Sequence, residues 1–162
     1  MAIAKVVVNA SPLITLFKSN QAELLPQLFQ EIVIPQGVWD EIVVPGQLDA
    51  VAQMLPKTQW INCRKVERVD GKIEAWDLGV GESQVLSYAL TDPNYTAMVD
   101  DMAARKCAKT FKIPTLGTGA MIVLAKRKGL ISSVTPRLKA LQDSGLWLSE
   151  EVISLLKAQA GE

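Results

Sequence analysis

Two adjacent carboxylates, Asp100 and Asp101, follow the apolar run Tyr95 to Val99 and precede an Ala-rich, basic stretch ending near Lys109. Acids at a helix start satisfy free N–H groups and complement the helix dipole. A cap with Asp101 pairing to Arg105 at i+4 is therefore one reading of the pair. Part of a chemical site is the other. Glu82 bears on the choice. On a helical wheel over residues 81 to 90, Val85, Leu86, Ala89 and Leu90 form one apolar arc, and Glu82 falls near its centre. A carboxylate aimed at a core is costly unless something pairs with it, although a first-turn acid held by helix N–H groups explains the pattern equally well.

Other polar residues gather in comparable places. Glu41 lies at the edge of the apolar arc Val38, Trp39, Ile42 and Val43, but so does Asp40, and the wheel does not choose between them. Asn9 and Ser11 precede Pro12, where an Asx or N-cap turn is the commoner reason for such residues. Gly117-Thr118-Gly119 reads as a strand-to-helix turn, either a plain tight turn or a cradle for a phosphate.

Composition narrows the chemistry. The chain contains no histidine, which excludes Ser-His-Asp and Cys-His nucleophile systems and the usual His-containing zinc sites. Carboxylates, amides, hydroxyls and cations remain, and a metal bound by such oxygen ligands would be Mg²⁺ or Mn²⁺. Cys63 and Cys107 lack ligand-like spacing and suit a reducing compartment. Seventeen basic residues balance seventeen acidic ones, so a nucleic-acid surface would have to be local. Arg105, Lys109 and Lys112, with Lys106 beside them, form one candidate stripe, and Lys126-Arg127-Lys128 is another. Either is an ordinary solvated face or a set of phosphate contacts. The apolar stretch near the N-terminus is too short for a signal sequence or a membrane span, and a cytoplasmic single domain is expected over residues 1 to 162.

These residues need elements to position them. Strands are expected at Ile3 to Val8, Ile32 to Ile34, Tyr95 to Val99 and Pro114 to Leu116, with an edge strand at Gln59 to Asn62. Helices are expected from Ser11 to about Lys18, Gln36 to Val44, residues 47 to 55, Gly81 to Leu90, Asp101 to Phe111 and Gly119 to about Lys128. Two amphipathic helices near Pro136 to Asp143 and Ser149 to Ala158 end the chain. Val66 to Val80 reads as a loop. Ala103, Ala104, Cys107 and Ala108 make a small-residue face for close packing on a sheet. The alternation predicts an α/β fold, a parallel sheet of four to five strands flanked by helices in three layers, with ligands outside the carboxyl ends of the strands.

NASPLI (Asn9 to Ile14), IPQGVWDEI (Ile34 to Ile42), GES with its helix (Gly81 to Leu90), MVDDMAARKCAK (Met98 to Lys109) and PTLGTG (Pro114 to Gly119) occur in that order. Together they resemble the PIN domain of VapC-type toxin ribonucleases, in particular a subgroup with N-x-S-P-L-I and D-D-x-x-A-R signatures. The resemblance spans about residues 3 to 130, with the C-terminal helices packed on that core. It implies that Asn9 occupies the first acidic ligand position, supported by Ser11, and that Glu41 rather than Asp40 is the second. Glu82 matches the third and Asp100 the fourth, with Asp101 adjacent and nearer the cap. It further implies one or two Mg²⁺ or Mn²⁺ ions, hydrolysis of RNA, single-stranded or structured, and a small antitoxin protein as partner. A homodimer is implied as well, with Trp147, Leu148, Val152, Ile153, Leu155 and Leu156 offering contact surface or ordinary core. Thr118 would support the site, while Arg105, Lys109 and Gly117 would hold phosphates.

Two departures stand out. Asn9 replaces the usual Asp and brings no charge, which predicts weak metal binding, and Met102 stands where Arg is frequent in similar sequences. A PIN fold retained as an RNA- or protein-binding regulatory module is therefore the second reading. A nucleotide-binding protein using the GTG turn is a third, opposed by the lack of a P-loop Lys and of G-x-G-x-x-G.

Overall fold

The computed structural model describes residues 3–46 and 49–162. Its centre is a five-stranded, all-parallel sheet in the order β3-β2-β1-β4-β5. The strands are β1 (Lys5–Val8), β2 (Glu31–Pro35), β3 (Ile61–Arg64), β4 (Tyr95–Met98) and β5 (Thr115–Leu116). Helices flank it, and the α/β architecture is the one expected. Val6, Val7 and Val8 are fully buried, as are Val33 and Ile34. Strands covered on both faces read as continuous β-branched runs rather than alternating ones, which is why these segments were visible in the sequence. Register is tight at the centre: Val8 faces Met98, and Val7 faces both Ala97 and Val33.

The helices are α1 (Ala10–Lys18), α2 (Leu24–Leu28), α3 (Gln36–Ile42), α4 (Ala50–Met54), α5 (Gly71–Glu74), α6 (Val80–Thr91), α7 (Met102–Thr110), α8 (Thr118–Arg127), α9 (Thr135–Asp143) and α10 (Glu150–Gln159). Two of them had no counterpart in the expected elements. α2 buries Leu24, Leu25 and Leu28. α5 interrupts the segment read as a loop: Asp70 caps it by accepting from the Lys72 N–H at 2.8 Å, and Ile73 is fully buried. One anchor and one cap suffice to dock a helical turn whose composition alone looks irregular. The helix expected over 47 to 55 begins at Ala50 and passes into a 3₁₀ turn at Leu55–Lys57, while residues 47 and 48 lie outside the described residues. The small-residue face of α7 is narrower than expected. Ala104, Cys107 and Ala108 are buried, but Ala103 is exposed.

The C-terminal helices close over α8. A Cβ at Gly119 would sit 2.7 Å from Leu156 Cδ1, so the absent side chain permits the close approach of α10. Glu162 then fastens the end. Its carboxylate accepts from Lys126 Nζ at 2.8 Å and from Ser133 Oγ, the Val134 N–H and Thr135 Oγ1 at 2.7 Å each. Leu148 and Ile153 pack against the core, whereas Trp147, Val152 and Leu155 stay exposed. Among the described residues no helix is long and apolar enough to cross a membrane.

The Lys126 ammonium and the donors from residues 133 to 135 hold the Glu162 carboxyl far below its ordinary value of 4.5. A depressed folded value means that the stabilisation is fully present above pH 4.5 and is lost progressively as pH falls toward the folded value. Hydrogen exchange should therefore show α10 losing protection below pH 4.5 before β1 and β4 do. Glu162→Gln should show reduced α10 protection already at pH 7.

Candidate acidic site

The strand order reverses between β1 and β4, so the chain leaves these neighbouring strands in opposite directions and opens a crevice at their carboxyl ends. Asn9 stands at that point. Its N–H donates to the Met98 carbonyl at 3.1 Å, extending the β1–β4 ladder by one residue. It occupies the N-cap position of α1, but its side chain makes no capping bond. Asn9 is 2% exposed, and its Oδ1 is buried without a hydrogen-bond partner among the described residues. Leaving a buried carbonyl unpaired costs about 1–3 kcal/mol, so the orphaned oxygen requires a reason. Ser11 is exposed and, among the described residues, makes no bond to Asn9; its carbonyl accepts from Thr15 Oγ1 at 2.8 Å.

Glu41 approaches the same place from α3. Its Oε1 accepts from the Gly81 N–H at 3.1 Å, one of the free donors in the first turn of α6. A Cβ at Gly81 would collide with that oxygen and lie 3.3 Å from Asn9 Oδ1. The missing side chain is thus the meeting point of three elements. Gly79, at φ +124°, does the same for the next acid, since a Cβ there would be 2.9 Å from Glu82 Oε2. Partial burial of the Glu41 carboxylate and the neighbouring Glu82 charge push its pKa up, and the Gly81 N–H opposes them. Asp40, the competing acid, is exposed as Glu41 is, and differs in its partner: it accepts from Gln36 Nε2 of its own helix at 2.9 Å rather than from α6. Sequence reasoning took in Gly81 only as part of GES and missed what the two glycines do; the G-x-G-E spacing was the available signal.

Asp100 and Asp101 separate cleanly. Asp101 caps α7, accepting from the Ala104 N–H at 2.9 Å. Asp100 turns instead to the β5–α8 turn, where Oδ1 accepts from the Thr118 N–H at 2.8 Å and Oδ2 from Thr118 Oγ1 at 2.6 Å. Thr118 is fully buried and Asp100 half-buried. Each carboxylate oxygen keeps a second acceptor site. A Cβ at Gly117 would meet Arg105 Nη1 at 3.0 Å and Asp100 Oδ1 at 3.4 Å, so that guanidinium and that carboxylate flank one glycine. No ion pair among the described residues includes Arg105 or Asp101.

Asn9, Glu41 and Glu82 are brought together, and Asp100 forms a second pole held by Thr118. Among the described residues no three Asp, Glu or Cys side chains make a metal-ligating cluster. The donor set nevertheless suits a hard cation: one unpartnered buried amide oxygen facing carboxylates that repel each other when both are charged. Beyond Arg105 runs a groove of about 570 Å³, lined by Met102, Arg105, Lys106, Lys109 and Lys112 over an edge of Ile113 and Pro114. In a chain of zero net charge, four cations on one groove make a locally positive surface.

A family model described as a PIN domain matches residues 5–162. No curated protein matches the chain.

In metal-free protein, the Glu41 carboxyl binds its proton at higher pH in the fold than in the unfolded chain, where the ordinary value is 4.5. Stability should therefore rise as pH falls through the folded value and level off below 4.5. Glu41→Gln should raise the thermal midpoint at pH 7 in EDTA and remove that part of the pH dependence, as read by calorimetry. Gly81→Ala should leave stability in urea unfolding within about 1 kcal/mol of the native protein, because alanine favours the helix and the new methyl displaces only the end of the Glu41 side chain. It should also bring the Glu41 titration, followed by NMR, back toward the ordinary value.

Proposed function

The chain belongs to the PIN-domain family, matched over residues 5–162, and on that premise we propose that it is a metal-dependent endoribonuclease. PIN domains are generally nucleases that use divalent metal ions. The finer reading is a VapC-type toxin that hydrolyses single-stranded RNA and is held in check by a small antitoxin protein. The observation that carries it is the buried, unpartnered Asn9 Oδ1 beside Glu41 at the carboxyl end of the central strand.

Asn9, Glu41, Glu82 and Asp100 would hold Mg²⁺ or Mn²⁺, with Asp101 kept at the rim by its cap. When bound, such an ion polarises the phosphodiester and lowers the pKa of an attacking water. The protein does the rest. Thr118 fixes both oxygens of Asp100 and so sets the direction of its remaining lone pairs. The Gly81 N–H holds the Glu41 carboxylate against the first turn of α6. Arg105 beside Gly117, followed by Lys109, places positive charge along the path of a phosphate backbone. The exposed Trp147, Val152 and Leu155 favour an apolar contact with an antitoxin or a second copy of the chain. One observation favours the regulatory-module reading instead: the position at the end of β1 is an uncharged amide, so the metal would have to bind with one negative charge fewer.

Purified protein given a mixed single-stranded RNA pool should cut it with Mn²⁺ or Mg²⁺ and leave it intact in EDTA. Asp100→Asn should abolish cutting, Thr118→Val should slow it about 10–100-fold, and Asn9→Asp should speed it. A folded native protein and Asn9→Asp variant that are both silent would replace the nuclease with the binding module. Separately, Lys109→Gln should weaken RNA binding for every sequence and reduce the salt slope of log Kd by about 1.

A further inference from the structure

Arg105 belongs both to the basic groove and to the acidic site. It lines the groove from α7, and its Nη1 would lie 3.0 Å from a Cβ at Gly117, where Asp100 Oδ1 would lie at 3.4 Å. Gly117 is buried at φ −79°, a backbone that any residue adopts, so what its missing side chain provides is space. Lys106, Lys109 and Lys112 share the groove, but none of them is among the atoms nearest that space.

Two acids are neighbours of this guanidinium, and neither is bonded to it. Asp101, one helical turn before it, accepts from the Ala104 N–H at 2.9 Å. Asp100 has both oxygens on Thr118. Among the described residues the Arg105 side chain makes no hydrogen bond and no ion pair. Nη1 and Asp100 Oδ1 thus approach one point without pairing. They leave a space of about one oxygen atom over Gly117, with a donor on one side and a carboxylate on the other.

We infer that Arg105 is a catalytic residue whose guanidinium binds oxygens of the scissile phosphate, whereas the groove lysines hold the phosphates that follow. This role rests on the nuclease reading of the acidic site and adds to it the side chain that carries transition-state charge. In the hydrolysis a water oxygen bonds to phosphorus and one ester P–O bond breaks. Its electron pair leaves with the ester oxygen, which takes one proton of the water, and the other proton passes to solvent. Negative charge builds on the oxygens around phosphorus, and a planar fork of donors already beside them stabilises it. A lysine would offer a point charge in place of that fork. Gly117 is the positioning residue, because a side chain there would displace the guanidinium.

The test is steady-state cleavage, with Mn²⁺, of a labelled oligonucleotide carrying one cut site. Arg105→Ala should lower kcat about 100–1,000-fold and leave KM within about threefold. Arg105→Lys should recover no more than about a tenth of the native kcat. Lys109→Gln should act mainly on KM. Guanidinium ion at a non-denaturing concentration should speed Arg105→Ala at least about tenfold, where equal sodium chloride does not. Gly117→Ala should lower kcat about tenfold in native protein and add nothing to Arg105→Ala. Calorimetric Mn²⁺ affinity should stay within about twofold in Arg105→Ala, which separates this role from metal binding. Native protein that cuts, beside an Arg105→Ala variant that keeps its kcat, would overturn the role and leave the nuclease standing. A kcat loss matched by an equal loss of Mn²⁺ affinity, or Arg105→Lys at the native rate, would overturn it as well. Folded native protein and Asn9→Asp variant that are both silent would overturn the nuclease, and this role with it.

Discussion

The meeting of Asn9 and Glu41 depends on how closely the backbone of α6 comes to the end of β1. At Gly81 there is no side chain, and the space is filled from two directions, by the Glu41 carboxylate and by the Asn9 amide oxygen. Gly79 makes the same allowance for Glu82. Partial burial disfavours the charged Glu41 carboxylate, and the neighbouring Glu82 charge adds to the penalty, which is why Glu41 holds its proton above the ordinary glutamate value. The helix N–H at Gly81 offsets part of this. Stability is given up where chemistry would be performed, and the buried sheet beneath carries the difference.

The fold was largely legible in the sequence. β1 and β2 announced themselves as β-branched runs, the mark of strands buried on both faces, and their alternation with helices pointed to a parallel sheet. α2 and α5 were not legible, because each is held by tertiary contacts rather than by its own propensity. Ile73, the buried residue of α5, together with the Asp70 cap converts a charged segment into a docked helical turn. Within the site, Asp100 and Asp101 could not be told apart by type or spacing. They differ in what lies opposite: Ala104's N–H for one and Thr118 for the other. No sequence pattern could show that Asn9 Oδ1 lacks a partner, since that follows from the packing of α1, α3 and α6 at one point.

Charge is balanced across the whole chain yet sharply divided near β4. Asp100 and Arg105 flank the same glycine without forming an ion pair among the described residues. The cations of α7 carry the positive side outward, while Asp40, Glu41 and Glu82 lie toward α3 and α6. A zero net charge thus conceals a local dipole across the carboxyl ends of the strands, and a polyanion crossing the protein there meets attraction and repulsion in succession.

α8 joins two places that otherwise have nothing in common. Its first residue, Thr118, grips Asp100, while Lys126 and Arg127 in its last turn hold Glu162 and the Gln159 carbonyl. Ten residues of helix span only about 15 Å, and a helix of that length behaves as a rod. The tail of the chain is in this sense a handle: a displacement at its fastening reaches a site carboxylate through a single stiff element.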